Sequence, residues 1–244
     1  MEWYEVAFDR VYPILYAHRD VGEATRVIEN FGYLFADKSP VLDLASGNGR
    51  YLEALRRKGF ESFGLDLSHY LLRSSVEEWE HTGLLVQGDM RHLPFTDRSL
   101  GAVINMFTSF GYFSIDTDNL LVFKEIQRVL EPGGVFLFDF LNAEKISKNL
   151  LEETRRVSGD FEIHERRRVG TRGKHLHKHA SISNPQTGQK KEIRERLRLY
   201  TKEELIIMFR SVGLSIEEIY GDYEKNAFVN GVSERVIIVA RNNV

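Results

Sequence analysis

The chain has 244 residues, 42% of them apolar, and a formal charge of −3 at pH 7, which is enough to bury one full core with room for an insertion. It contains no cysteine, which excludes disulfides, thiolate nucleophiles and cysteine-based zinc sites together. It shows no internal repeat and no basic start followed by an apolar run, and stretches such as Val135-Phe136-Leu137-Phe138 are too short to span a bilayer; the expectation is a soluble, cytoplasmic protein.

At the N-terminus Tyr4, Phe8 and Tyr12 recur at i, i+4 and i+8, and Leu15 and Tyr16 extend the same face, which predicts an amphipathic helix. Next, Val41-Leu42-Asp43-Leu44-Ala45-Ser46-Gly47-Asn48-Gly49 is an apolar strand that ends in a carboxylate and a small-residue turn, and it runs directly into a helical segment from Arg50. Gly47 and Gly49 permit a turn with positive φ and close approach of a ligand, while the following helix aims free N–H groups at the loop. The second short strand ends at Asp66-Leu67, at the spacing from Gly47 expected of a ribose-binding acid. A third, Gly83 to Gly88, runs into Asp89-Met90, so three acids face one crevice at the carboxyl edge of a parallel sheet. Each acid taken alone is equally a helix cap.

The ligand is constrained by what the loop lacks. Leu52 stands where a dinucleotide fold needs a third small residue, no Gly-Lys-Ser/Thr follows Gly47, and an acid before the loop repels pyrophosphate. A cationic adenosine derivative suits it better.

Ala102 to Phe107 reads as strand four, Asn119 to Leu130 as an amphipathic helix, and Val135 to Leu141, opened by Gly133-Gly134, as strand five. From Ser158 to Tyr200 the pattern becomes strand-like runs broken at Gly170-Thr171-Arg172-Gly173 and Asn184-Pro185-Gln186-Thr187-Gly188, predicting a three-stranded antiparallel insertion. Residues 155–198 hold 13 Lys/Arg and five Asp/Glu, near +8, leaving about −11 for the rest. Three readings remain open: a solvated face that blunts sheet edges, a basic wall for an anionic substrate, or nucleic-acid contact, which the sparse aromatics argue against. His175, His177 and His179 alternate and share a face, but with no second ligand cluster no metal site is expected. Arg194, Arg196, Arg198 and Tyr200 share a face opposite Ile193, Leu197 and Leu199. Thr201 and Glu204 form a capping box, Gly213 ends that helix, and Arg235 to Ala240 is the last strand.

From about Ser39 to Asn142 the chain resembles the class I S-adenosylmethionine-dependent methyltransferases. The signature falls on Asp43 through Gly49, with Ala45 where glycine is commoner, the strand-two acid on Asp66, and the acid after strand three on Asp89 beside Met90. Leu93-Pro94-Phe95 with Asp97 and Leu130-Glu131-Pro132-Gly133-Gly134 recur as further family features. The resemblance implies an α/β fold with a doubly wound, seven-stranded, mostly parallel sheet whose final strand inserts antiparallel. It divides the chain into a helical lid (1–37), a cofactor core (38–145), the insertion over the acceptor (158–200) and closing elements (201–244).

It implies S-adenosylmethionine bound by Asp43, Ala45, Ser46, Gly47, Asn48 and Gly49, by Asp66 and Leu67, by Gly88, Asp89 and Met90, and by Asn105, Met106 and Phe107. Tyr16, Arg19, Tyr112, Arg196, Arg198 and Tyr200 become acceptor contacts, and Tyr16, His18 and Tyr112 candidates for a base. The implied reaction is in-line attack by a nucleophilic atom on the sulfonium methyl, with positioning supplying much of the acceleration. Asn105-Met106-Phe107-Thr108 is not the Asn/Asp-Pro-Pro-aromatic tetrad of many nucleobase and protein amine methylases. The expectation is therefore transfer to N or O of a small, anionic metabolite; the alternatives are an RNA or protein methyltransferase, or a donor-binding module without turnover.

Overall fold

The computed structural model describes residues 2–9, 11–16 and 21–243. Two short helices, α1 (Trp3–Ala7) and α2 (Tyr12–Leu15), precede α3 (Val21–Phe31) and a 3-10 turn over Gly32–Phe35. One continuous N-terminal helix was expected, and two are found. Pro13 lies in the first turn of α2, where it has no N–H to bond back across the break, and the Asp9 carboxylate instead accepts the Val11 N–H at 3.0 Å. Strand β1 (Val41–Leu44), α4 (Arg50–Arg57), β2 (Ser62–Asp66), α5 (His69–Trp79) and β3 (Leu85–Gln87) follow. Then come β4 (Leu100–Asn105), α6 (Asp116–Val129), β5 (Leu130–Leu141) and α7 (Ala143–Asn149).

A second sheet is built from β6 (Glu153–Ser158), β7 (Phe161–Val169), β8 (His175–Ser183) and β9 (Lys190–Arg198). It is antiparallel, as expected, but has four strands rather than three. The extra strand, β6, lies ahead of the predicted start at Ser158, and its Arg155-Arg156 pair disguises its strand character. Helix α8 (Lys202–Ser211), β10 (Leu214–Tyr220) and β11 (Arg235–Asn242) close the chain. Thr201 and Glu204 make the reciprocal capping box at α8.

The main sheet has seven strands in the order β10-β11-β5-β4-β1-β2-β3, parallel except for β11, which pairs antiparallel with both β5 and β10. From β1 the chain winds outward through β2 and β3 on one side and β4 and β5 on the other, so the switch point lies between β1 and β4, where open α/β sheets bind ligands. Both faces carry core: Phe123, Phe136, Phe138 and Phe209 pack on one, Phe31, Phe35, Val41 and Ile104 on the other. Phe110 stacks on Phe123 at 4.5 Å and Phe209 on Phe136 at 5.4 Å; burying each such ring contributes about 2 kcal/mol. A smaller core of Ala7, Leu15, Ile163, Ala180, Ile182 and Ile193 fastens the N-terminal helices to the second sheet. No described helix is long and apolar enough to cross a membrane.

Candidate active site

The loop after β1 is shaped by backbone angles that L-residues rarely adopt. Ala45, Gly47 and Gly49 have φ of 60°, 56° and 81°, so Ala45 carries the strain that a glycine would avoid. The two glycines serve different ends. A Cβ on Gly49 would lie 2.1 Å from Ser75 Oγ and 2.9 Å from His81 Nδ1, whereas one on Gly47 would meet only Leu71 Cδ1 at 3.9 Å. Gly49 is needed for packing against the buried Ser75–His81–Glu53 chain beneath the loop, and Gly47 keeps the face toward the crevice clear.

The Asp66 carboxylate accepts the N–H groups of Gly47 and Ser68, both at 2.8 Å, which ties β2 to the loop and leaves further lone pairs for a ligand. Burial pushes its pKa up, against those N–H donors. Asp43 is 2% exposed, and burial pushes its carboxyl up to about 7, with Arg50 opposing and Asp66 adding to the shift. Asp43 Oδ2 and Ser46 Oγ are buried without a hydrogen-bond partner among the described residues. Asp89 is held by Arg91 through Nε and Nη2, the latter at 2.6 Å; burial raises its pKa but Arg91 outweighs it, so the net direction is down.

These groups border two adjoining cavities. The first encloses about 630 Å³ including its mouth and presents Asp66, Leu67, Gly88, Asp89 and Met90 beneath Tyr4, Phe8 and Tyr12, a size suited to a small ligand. The second is walled by Asp43, Ala45, Ser46, Asn48, Met106 and Phe107, with Arg50 and Tyr16. Arg50 pairs with Glu23 at 2.9 Å and lies 4.8 Å over the Phe107 ring. A cation placed directly after the glycine loop was its only signal in the sequence.

A third cavity, about 1,670 Å³ with its open mouth, lies between the sheets. Tyr12 borders all three, and Phe8 and Tyr112 border the first and third. The rings of Phe8, Tyr12 and Tyr16 pack in succession, at 4.9 and 4.5 Å, along this seam. The loop after β4 is fixed there by Asp139, which is wholly buried: its carboxylate accepts the Phe107 N–H, Tyr223 Oη and Arg235 Nη2, each at 2.7 Å. Phe107 and Thr108 both have φ near +60° under this restraint.

Several expected site residues stand elsewhere. The Asn105 amide turns inward to the Leu44 carbonyl at 2.9 Å and lines none of these cavities. Arg198 is 4% exposed and bonds Glu204 at 2.7 Å and Asp116 at 3.3 Å, and Tyr200 Oη donates to Asp116 at 2.7 Å. Arg196 reaches the Ser114 carbonyl and His175. None of the three lines the third cavity, and for Arg196 and Arg198 the reason is that their face of β9 points away from it. Register pairs Arg194, Arg196 and Arg198 with His179, His177 and His175, while the opposite face carries Leu176, Lys178, Glu195 and Leu197 into the cavity. Lys178 and Glu195, at apolar parity in their strands, are the sequence signal that was overlooked. His18 and Arg19 lie outside the described residues, as do Ala17 and Asp20. Among the described residues no group of three His, Asp or Glu side chains is set to hold a metal.

Residues 42–138 match the sequence model of the family described as "Methyltransferase domain". The chain is 33% identical over 149 residues to YqeM of Bacillus subtilis, whose methyltransferase name is itself provisional, covering 60% of this chain and 59% of that protein. It is 30% identical over 139 residues to a Streptomyces venezuelae dTDP-3-amino-3,4,6-trideoxy-alpha-D-glucopyranose N,N-dimethyltransferase, covering 56% and 58%. The aligned segment thus spans little more than half of these curated relatives. The solved structure of the CcbJ methyltransferase from Streptomyces caelestis shares the fold, with a TM-score of 0.82 over 97% of this chain and 98% of that one at 20% identity. The methyltransferase-domain match thus runs from β1 into β5, and the whole chain shares the fold of solved S-adenosylmethionine-dependent methyltransferases.

Proposed function

We propose that this protein transfers a methyl group from S-adenosylmethionine to a nitrogen or oxygen atom of a small molecule held between the two sheets. The observation that carries the reading is the pair of buried, unpartnered acceptors, Asp43 Oδ2 and Ser46 Oγ, beside a Gly47 whose missing side chain leaves the crevice open. A buried acceptor without a donor costs about 1–3 kcal/mol, which a ligand bearing N–H or cationic groups would recover. When bound, the donor supplies an electrophilic methyl on a sulfonium.

The chain's own groups do the rest. Asp66 takes the ribose hydroxyls, Gly88, Asp89 and Met90 border the adenine, and Asp43 with Arg50 faces the amino-acid end. Tyr12 stands where the three cavities meet, so Tyr12, Phe8 and Tyr112 wall the transfer point and exclude water. Alignment in such a setting is worth up to about 7–11 kcal/mol in well-oriented systems. Tyr16 Oη borders both the second and the third cavity and donates to Glu195 at 3.1 Å, which makes it our assignment for proton handling when the acceptor must lose a proton. The relative from Streptomyces venezuelae is named for an amino sugar, and a cavity enclosed between sheets favours a compact acceptor over a polymer.

The test is incubation with methyl-labelled donor and a panel of small amines, hydroxyl compounds, RNA and protein. Label transfer to a member of the small-molecule set is expected; transfer only to RNA or protein would overturn the acceptor assignment.

A further inference from the structure

The second sheet points a group of charged side chains into the acceptor cavity, on the wall formed by β6, β7, β8 and β9. Glu165, 3% exposed, is gripped by Arg156, by Arg167 at 2.9 Å and by Lys178 at 3.0 Å. Lys178, itself 8% exposed, also meets Glu195 at 3.2 Å and the Tyr16 hydroxyl. The other charged groups on the cavity are matched outside this cluster: Arg235 by Asp139, Arg155 by Glu153, and Glu234 by Lys145. Within it, three cations meet two carboxylates, so among the described residues one positive charge is unbalanced in a partly desolvated wall. An uncompensated charge in such a place is costly unless a ligand completes it.

We propose that Arg156, Arg167 and Lys178 form the site that reads a terminal oxyanion group, phosphate ester or carboxylate, on the methyl acceptor. This rests on the acceptor cavity proposed above and adds the substrate class to it. The acceptor is then a bipolar molecule, its nucleophile at the Tyr12 seam and its anion at the second sheet, with the apolar side chains of Leu141, Ile146, Leu176 and Leu197 between. Arg196 and Arg198, on the opposite strand face, take no part.

The arrangement makes a prediction of unusual sign. Glu165 and Glu195 compete with the ligand for the same cations, so neutralising one of them should tighten anion binding, whereas a purely structural cluster would only be weakened. The experiment is calorimetric titration of the full chain, saturated with S-adenosylhomocysteine, with inorganic phosphate and separately with acetate at low salt. Saturable one-to-one binding of at least one anion is expected, weakened about fivefold or more in Arg167→Gln, strengthened about threefold or more in Glu165→Gln or Glu195→Gln, and unchanged in Arg166→Gln, whose exposed side chain lies off the cavity. Preference between phosphate and acetate identifies the group. S-adenosylhomocysteine binding is recorded for every variant, both as a check of folding and to separate the two readings. Its failure in the wild type would overturn the donor site. Normal S-adenosylhomocysteine binding with no phosphate or acetate binding, or with equal loss in the Gln variants of both signs, would overturn the anion site alone.

Discussion

The two walls of the proposed active cavity are charged in opposite ways and are finished to different degrees. On the rim of the main sheet, Asp43, Asp66 and Asp89 sit at or just beyond the ends of β1, β2 and β3, and Asp43 Oδ2 and Ser46 Oγ have no partner among the described residues. On the cavity face of the second sheet Arg156, Arg167 and Lys178 meet Glu165 and Glu195, so that among the described residues of this cluster one positive charge remains over. The difference teaches where each wall stores its specificity. The rim is preorganised by backbone and, in the proposed function, keeps open valences for the methyl donor. The second sheet is held by side-chain pairs, whose balance is changed by single substitutions, as suits the partner that differs between enzymes of one fold.

The sharpest way to break this comparison is to fill the rim's glycines. Gly49→Ala combines φ of 81° with a Cβ 2.1 Å from Ser75 Oγ, and should cost about 3 kcal/mol or more, a drop of about 6–12 °C in the melting temperature. Gly47→Ala, with open space around its Cβ, should cost only about 1 kcal/mol in stability while its loss falls on S-adenosylhomocysteine affinity. Calorimetric melting together with titration separates the two. Next in size, Arg198→Ala leaves Glu204 and Asp116 without their shared cation. Because both carboxylates keep access to water, the loss is mainly that of a packed, hydrogen-bonded side chain and should lower stability by about 2 kcal/mol, with donor affinity unchanged within about twofold.

Asp66→Ala should weaken S-adenosylhomocysteine binding at least about tenfold, or 1.4 kcal/mol, through lost charge-assisted hydrogen bonds; an unchanged dissociation constant would refute its ribose role. Asp43 adds a pH signature. Burial holds its carboxyl at about 7 in the folded chain, above the ordinary carboxylate range, so its stabilising contribution to the free protein is fully present below about pH 4 and is lost as pH rises through 7. A cationic ligand selects the ionised form, so S-adenosylmethionine affinity should rise about tenfold between pH 6 and 8 and be flat in Asp43→Asn, as titrations across that range would record. Smallest of all, Arg196→Ala, on the strand face away from the cavity, should move stability by less than about 0.5 kcal/mol.

Legibility in the sequence followed the range of the interactions. The rim could be read because strand, acid, glycine turn and helix are consecutive in the chain, and because a loop residue's backbone angle depends on its own side chain; Ala45 at φ 60° shows the limit of even that rule. The capping box of α8 was legible for the same reason, whereas the seven-stranded sheet, which pairs β11 with the distant β5, was legible only through the family resemblance. The second sheet was not, because whether Arg196 or Lys178 faces the cavity depends on which face of β8 and β9 meets the N-terminal helices, and strand alternation alone does not fix that choice. The alternating Arg and His residues carry the more conspicuous pattern, while the charges that line the cavity lie among Leu176, Ala180, Ile193 and Leu197. The break between α1 and α2 was marked by Pro13, which the helical spacing of the aromatic rings concealed.

The most direct test of the central claim, that the acidic rim and its glycine loop hold the methyl donor, is a crystal structure with S-adenosylhomocysteine at saturating concentration. The account predicts ribose hydroxyls within hydrogen-bond reach of Asp66, the adenine beside Asp89 and Met90, and the amino-acid end between Gly47 and Arg50. Ligand found elsewhere, or no ligand at that rim under saturating conditions, would contradict it.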